Sequence, residues 1–228
     1  MTLFATLFPL ICWFAYNYGV PLLERHRPSL SVIMSMQRRR WVANAVKRDT
    51  PLDAILAGNL MGSVSFLAST SVLLVLAVFT AFGNLTALTD TLTTVGLKAS
   101  YTAQDVQIHL FATLAIFVLS FFSFTLALRQ FNHFCILLGA IEHSEHVARD
   151  EIDGIAQLNT LAAKNFNNGI RAYYFAVPMV AWFANEWLAV AASLVTVGFM
   201  IHREFFSTAH RVAASIAVLA SRREKEHG

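Results

Sequence analysis

The stretch from Asp53 to Phe82, DAILAGNLMGSVSFLASTSVLLVLAVFTAF, decides the fold of this chain, because Asp53 is its only charged residue. A helix of this length is about 45 Å long at 1.5 Å per residue, whereas the hydrocarbon core of a bilayer is about 30 Å thick. A helix of a soluble protein is rarely so long or so uniformly apolar. The stretch therefore predicts a transmembrane helix.

The rest of the sequence has the same apolar character. Hydrophobic residues make up 56% of the 228 residues, and the mean hydropathy is +0.55. Residues 3–23 and 106–128 predict two further spans by their length. Residues 3–23 also lack a basic start and a cleavage site, so we expect a retained helix rather than a signal peptide. We predict an all-α, polytopic transmembrane helical bundle that forms one integral membrane domain, residues 1–228.

The region from Gly169 to Arg203 allows two interpretations. As one helix it would be about 52 Å long, which is more than a bilayer needs. As a hairpin that turns at Asn185-Glu186, it gives two short spans, 170–186 and 187–203, and keeps the Glu186 carboxylate hydrated. We therefore predict five spans in total and keep four as the alternative.

The distribution of positive charge indicates an orientation. Lys and Arg are frequent from Arg25 to Arg48, whereas only Lys98 lies between Gly83 and Asp105. The hairpin keeps every Lys and Arg except Lys98 on one side of the membrane. Because positive residues remain on the cytoplasmic side, we predict an outer N terminus and a cytoplasmic C terminus.

Three segments outside the spans are amphipathic at helical spacing: 29–47, 141–166 and 205–220. All three fall on the cytoplasmic side of the five-span arrangement. They could lie on the lipid headgroups or pack together as a helical layer. Since the basic run Arg38 to Arg40 adjoins a span, we expect anionic lipid headgroups as its partner rather than nucleic acid.

The predicted second span carries a polar stripe. Asn59, Ser63 and Thr70 follow one another at helical spacing, beside Gly58 and Gly62. Small and hydroxyl side chains let membrane helices pack closely, which favours a helix–helix seam. The same groups would line the path of a channel if they faced water. Both interpretations remain open at the level of sequence.

Four polar residues near the predicted inner boundary form a candidate site for an anion or a lipid headgroup. They are Arg129, Asn132, Asn167 and Arg171. The alternative for Arg129 is a side chain that reaches out of the lipid toward the headgroups. The Asn-rich run that ends at Gly169 predicts a helix stop, with Gly169 in the position after the last helical residue.

Glu142, His143 and His146 are the metal candidate. On a helix these side chains would lie about one turn apart, as ligands do in di-iron bundles. The alternative is a solvated face with i, i+4 ion pairs. A b-type haem would need two axial ligands, but His109 and His133 lie about 36 Å apart on one helix. Haem is possible only if His109 and His202 meet, which requires the single-helix interpretation.

Several motifs resemble a known family. They include Asn165-Phe166-Asn167-Asn168-Gly169-Ile170-Arg171, Ala181-Trp182-Phe183-Ala184-Asn185-Glu186-Trp187 and Arg129-Gln130-Phe131-Asn132. Together they resemble the bacterial integral membrane family of domain of unknown function 599 over nearly the whole chain. The resemblance implies a bacterial inner (plasma) membrane protein and implies no activity. Relatives usually have Pro at the position of Glu186, which suits a hairpin turn.

These patterns support three functions. The first is an oligomeric conduit for an ion or small solute, and the second is an accessory or scaffold subunit of a larger membrane complex. The third is a metal or haem redox subunit. The sequence has no Gly-rich phosphate loop, nucleophile elbow or H-E-x-x-H helix, so we expect neither an enzyme nor a bound cofactor. We expect membrane lipids and further protein subunits as partners, and no nucleic acid.

Overall fold

The computed structural model describes residues 2–48, 51–94, 101–142 and 147–227, without the side chains of residues 93 and 223–227. Within these ranges the chain forms eight α-helices and no strand. They are α1 (Thr2–Glu24), α2 (Leu30–Ala45), α3 (Leu52–Gly83), α4 (Leu85–Thr94), α5 (Ala103–Ala140), α6 (Arg149–Trp182), α7 (Glu186–Phe205) and α8 (Thr208–His227). The predicted all-α class is therefore confirmed.

Four helical segments of the described residues are long and apolar enough to cross a membrane. They are Thr2–Glu24, Leu52–Gly83, Ala103–Ala140 and Glu186–Arg222. The first three contain the predicted spans 3–23, 53–82 and 106–128. The last comprises α7 and most of α8. The predicted span 170–186 lies largely in the second half of α6, which is not among the four.

A break separates α6 from α7 where the hairpin was predicted. α6 ends at Trp182 and α7 begins at Glu186, so the region is not a single helix. The side-chain oxygen of Asn185 accepts the backbone N–H of Trp187 at 2.8 Å. Such a bond satisfies a donor that the first turn of a helix leaves without a partner.

The predicted helix stop at Gly169 is wrong. α6 continues from Arg149 through the Asn-rich run to Trp182. The reason is tertiary packing, since a Cβ placed on Gly169 would lie 2.5 Å from the Phe124 ring. Ser120 also donates to the Gly169 carbonyl at 3.0 Å. Glycine in this position allows a close approach of α5, and this outweighs its weak helix propensity.

Other boundaries differ from the prediction. α5, by contrast, runs without interruption to Ala140, which agrees with the prediction that one helix continues beyond the span 106–128 and carries both His109 and His133. The helical part of the predicted segment 141–166 begins at Arg149. α4 was not predicted, because its Thr-rich sequence resembles a loop. The segments 29–47 and 205–220 correspond to α2 and α8.

The chain divides into two compact units. The first comprises Met1–Val20, Phe66–Phe124 and Asn167–Met200. Its interior is an apolar cluster of α1, α3, α5, α6 and α7 side chains, with buried members Ala5, Val78, Val106, Leu110, Phe117, Trp182 and Ala189. Long apolar side chains on the outside of the same helices remain exposed, as expected for surfaces that contact lipid.

The second unit comprises Pro21–Ser65, Thr125–Phe166 and Ile201–Gly228. Its apolar cluster has the buried members Val42, Val46, Ala57, Phe134, Ile141, Ile155 and Ala156. The rings of Trp41 and Phe134 pack with centroids 5.5 Å apart. The unit is rich in charge, and it contains both ion pairs described below.

Candidate functional site

A cavity of about 310 Å³ lies in the second unit, where α2 ends, α3 begins and α5 ends. Apolar side chains form most of its wall. Its lining residues are Ala45, Arg48, Asp53, Ala54, Ala57, Gly58, Met61, Cys135, Leu138 and Gly139. The volume is at the lower end of the range for small-molecule sites, and a largely apolar wall with few polar groups is typical of them.

An acid–base pair forms the polar part of this cavity. The Asp53 Oδ1 atom accepts from the indole N–H of Trp41 at 2.6 Å and from Arg48 Nη2 at 2.8 Å. Asp53 is only 7% exposed. Burial of a carboxylate is unfavourable unless donors surround it, so these two bonds hold the Asp53 side chain in place.

The pair retains unused hydrogen-bonding capacity. The Asp53 Oδ2 atom and the Arg48 Nε atom are both buried, and neither has a hydrogen-bond partner among the described residues. A carboxylate oxygen accepts and a guanidinium N–H donates. Both atoms lie behind the surface of the cavity, since neither has accessible area of its own.

Local sequence explains the position of the pair. Pro51 directly precedes α3, and its carbonyl accepts the N–H of Ile55 at 3.0 Å. Asp53 lies in the first turn of α3. The first turn of a helix favours a carboxylate, because the N-terminal end carries a partial positive charge. This site is not among the sites predicted from the sequence, although a lone acid at the start of a span, next to basic residues, is a usable signal.

The polar stripe of α3 lies at the surface of the chain. Asn59 and Ser63 are exposed and line a groove together with Trp41, Leu56 and Leu60. No described atom lies within 4 Å of a Cβ placed on Gly58 or Gly62, outside the backbone of α3 itself. The Ser63 hydroxyl donates to the Asn59 carbonyl at 3.0 Å. The Thr70 hydroxyl likewise donates to the Phe66 carbonyl at 2.8 Å.

The predicted anion or headgroup residues differ in their surroundings. Arg129 and Asn132 are exposed on α5. Asn167 is half-buried on α6. Arg171, also half-buried, donates to Asn17 Oδ1 at 3.2 Å and lies 5.1 Å from the centre of the Tyr16 ring. Arg171 therefore connects α6 to α1. The role of these residues in binding stays a prediction.

The predicted metal cluster falls mostly outside the described residues. His143 and His146 are among the residues that the structure does not describe. Glu142 is exposed and lies after the end of α5, so it is not helical as the ligand spacing assumed. The parts of the chain that are described hold no group of three or more His, Cys, Asp or Glu side chains placed to bind a metal.

His109 has a structural role in the first unit. It is fully buried, and its ring stacks on Trp182 with centroids 4.0 Å apart. Its Nε2 atom lies 2.9 Å from the Met179 carbonyl oxygen. Since a carbonyl only accepts, Nε2 carries the hydrogen. Both His133 and His202 are exposed.

The end of α6 shows why this bond matters. The last four carbonyls of a helix have no partner within it. Here each of them accepts a hydrogen bond: Met179 from His109, Val180 from Phe183, Ala181 from Ala184 and Asn185, and Trp182 from the Tyr101 hydroxyl. Side chains of α5 and the residues before it thus complete the end of α6. No local pattern of residues indicates this contact.

Comparison with known proteins identifies a family. The family model described as "Protein of unknown function, DUF599" matches residues 4–209. The match confirms the resemblance found in the sequence motifs, and its description states no activity. No curated protein and no solved structure matches the chain.

Proposed function

The chain belongs to the DUF599 family, and we propose that it assembles in the bacterial inner membrane as a homo-oligomer that conducts an ion or a small polar solute. The proposal assigns it a role as a conduit rather than as an enzyme. The observation that carries it is the polar face of α3, which includes Asn59 and Ser63. This face lies at the surface of the single chain.

The depth of this face in the membrane supports the proposal. The ion-paired Asp53 marks the inner boundary of the span. Asn59 and Ser63 then lie about 9 Å and 15 Å beyond it, at 1.5 Å per residue. The middle of the hydrocarbon core is about 15 Å from its edge. An Asn amide at this depth is unfavourable in lipid, so it requires either water or a polar group of another subunit.

The proposed arrangement has five spans, with the N terminus outside and the C terminus in the cytoplasm. The break between α6 and α7 supports a short outer turn at residues 183–185. The second half of α6 and α7 would then be the fourth and fifth spans. This arrangement keeps the basic residues in and beside α2 and α8 on the cytoplasmic side, as the distribution of charge favours.

Cysteine labelling tests the conduit. In a background without Cys12 and Cys135, Asn59→Cys and Ser63→Cys should react with a charged, membrane-impermeant thiol reagent, because a conducting path is filled with water. Val64→Cys is the matched control, since Val64 is adjacent on α3 but only 2% exposed. Reagent bound at position 63 should also block solute flux into proteoliposomes. Protection of both positions would leave α3 as a packing seam and end the proposal.

A second function, an accessory subunit of a larger complex, is supported by α8. Its side chains Val212, Ile216, Val218 and Leu219 are each about half exposed. Val212, Ile216 and Leu219 lie on one face of α8 at helical spacing, and an exposed apolar face of this kind fits a partner protein or a lipid surface. Purification at native abundance distinguishes the functions. Unrelated subunits in fixed ratio support the accessory role, whereas a pure homo-oligomer supports the conduit.

A further inference from the structure

α8 exposes an apolar stripe along one of its faces. The stripe consists of Val212, Ile216 and Leu219, whose spacings of four and three residues place them above one another on a helix. Each of these three side chains is more than half exposed. A row of exposed apolar side chains is unfavourable in water, so the stripe marks a binding surface.

Contacts with the segment before α2 fix which face of α8 points outward. His210 is only 5% exposed, and its Nε2 atom donates to the Pro28 carbonyl oxygen at 3.0 Å. Just before α8, the Arg27 guanidinium lies 4.8 Å from the centre of the Phe206 ring. Val212 follows His210 by two residues, which is about 200° of rotation around the helix. The apolar stripe therefore points away from the face that packs on the chain.

Positive charge borders the stripe. Arg211 and Arg222 are both exposed. They are eleven positions apart, about three helical turns, so they lie along the same edge of α8. The sequence between Glu204 and Glu224 contains no acidic residue. An apolar stripe bordered by arginines is typical of helices that lie in the plane of anionic lipid headgroups.

The chain itself holds α8 close to the membrane. α7 ends at Phe205 and α8 begins at Thr208. The connection between these two residues extends over about 10 Å at most, at ~3.5 Å per residue. α7 belongs to a segment that is long and apolar enough to cross a membrane. The start of α8 therefore lies near the headgroups at the end of this span.

We propose that α8 binds the surface of a bilayer of anionic phospholipid. The apolar stripe enters the boundary of the acyl chains, while Arg211 and Arg222 bind the lipid phosphates. The proposal requires that α7 crosses the membrane, but it does not depend on solute conduction. It assigns this face to lipid, whereas an accessory subunit would use the same face for another protein.

Labelling rates of the full-length protein in lipid nanodiscs test the proposal, because nanodiscs leave both sides of the membrane accessible. In a background without Cys12 and Cys135, Ile216→Cys reacts with an uncharged polyethylene glycol maleimide in phosphatidylcholine or in phosphatidylglycerol. We expect the reaction to be about 25-fold slower in phosphatidylglycerol, about fivefold for each arginine near an anionic surface.

Ser221→Cys is the matched control for this comparison. Ser221 is exposed, and it lies five residues beyond Ile216, about 140° around α8. Its labelling rate should be the same in the two lipids. Equal rates of Ile216→Cys in phosphatidylcholine and phosphatidylglycerol would overturn the proposal, whether the position is protected in both or in neither.

Fluorescence quenching identifies what covers the stripe. A bimane label on Ile216→Cys should be quenched by phosphatidylglycerol that carries bromine on its acyl chains, because quenching requires contact with the lipid. The same label on Ser221→Cys should keep its fluorescence. Protection of Ile216→Cys without quenching would show that another protein copy covers α8, and this would also overturn the proposal.

Two charge variants test the role of the arginines. Arg211→Gln and Arg222→Gln should each make Ile216→Cys react about fivefold faster in phosphatidylglycerol and should change nothing in phosphatidylcholine. Lys164→Gln is the control, because it removes the same charge from an exposed position on α6. Equal increases in all three variants, or no increase in any, would contradict the binding of anionic lipid by this edge of α8.

Discussion

At the scale of single residues, the contact between Gly169 and Phe124 fixes how closely α6 approaches α5. Ring atoms of Phe124 occupy the space where a side chain at position 169 would begin. The nearest of these atoms is 2.5 Å from the position of a Cβ, far inside van der Waals contact. Any residue other than glycine must therefore displace an aromatic ring that is fully buried.

We predict that Gly169→Ala lowers stability by about 1–3 kcal/mol, the usual cost of overpacking. Gly154→Ala on the same helix is the control, and it should raise stability by about 0.5–1 kcal/mol, because alanine favours the helix and none of the described residues outside the local backbone comes within 4 Å of a Cβ there. Thermal unfolding in detergent measures both. Combining Gly169→Ala with Phe124→Leu should restore part of the loss. Equal effects at the two glycines would show that the close contact does not form.

The bond from His109 to Met179 gives a second prediction at this scale. His109→Phe keeps an aromatic ring against Trp182 but leaves the Met179 carbonyl buried without a donor. We expect a loss of about 1–3 kcal/mol, the cost of an unsatisfied buried group. His133→Phe, at an exposed position on α5, should change stability little. The melting temperatures of the two variants in detergent provide the comparison, and equal melting temperatures would argue against the cap.

At the scale of the helices, an ion pair joins α2 to α6 in the second unit. Arg39 binds Asp153 through two bonds, Nε to Oδ1 and Nη2 to Oδ2, the latter at 3.1 Å. The Arg39 guanidinium, first through its hydrogen bond, holds the pKa of the Asp153 carboxyl below its usual value of 3.8. Both side chains are about half exposed, so water screens the pair and its contribution is small.

The depressed pKa predicts a pH dependence of defined sign. The folded chain binds the Asp153 proton less readily than the unfolded chain, so the pair stabilises the fold at any pH well above 3.8. This contribution should decrease as the pH falls below 3.8 and passes through the pKa that the Asp153 carboxyl has in the folded chain. Hydrogen exchange of α2 should therefore be faster in Asp153→Asn than in the native protein at neutral pH, and equal at low pH. Asp150→Asn is the control, and the hydrogen exchange of α2 in this variant should match that of the native protein at both pH values. If the exchange rates of Asp153→Asn and the native protein differed equally at every pH, the ion pair would be excluded as the cause of the difference.

The break between α6 and α7 gives a topological prediction. If residues 183–185 form an outer turn, a cysteine at Asn185 should react with an impermeant reagent added to intact cells. A cysteine at Asp153 should react only after the membrane is opened, because this part of α6 would face the cytoplasm. Both replacements need a background without Cys12 and Cys135. Labelling of both positions from the same side would reject the five-span arrangement.

At the scale of the whole molecule, the exposed polar face of α3 predicts self-association. Native mass spectrometry of protein extracted gently from its own membranes should show a homo-oligomer. Ser63→Leu should leave the oligomer intact but lower solute flux into proteoliposomes, because an apolar side chain would face the water-filled path. Ser123→Leu, which is on α5 rather than α3, is the control and should change neither the oligomer nor the flux. A monomer in several mild detergents would contradict the conduit.

The amino-acid sequence by itself determined the class of the protein, because a long apolar helix satisfies its own backbone and has few alternative structures. The transmembrane helix at Asp53–Phe82 and the break near Asn185 follow from local composition. Membership of the family follows from short motifs along the chain. Tertiary structure decided what depends on residues far apart in the chain. The packing of Phe124 kept α6 helical through Gly169, and the approach of α2 to α3 placed Arg48 and Trp41 around Asp53. Such contacts depend on geometry between helices, which local patterns of sequence do not encode.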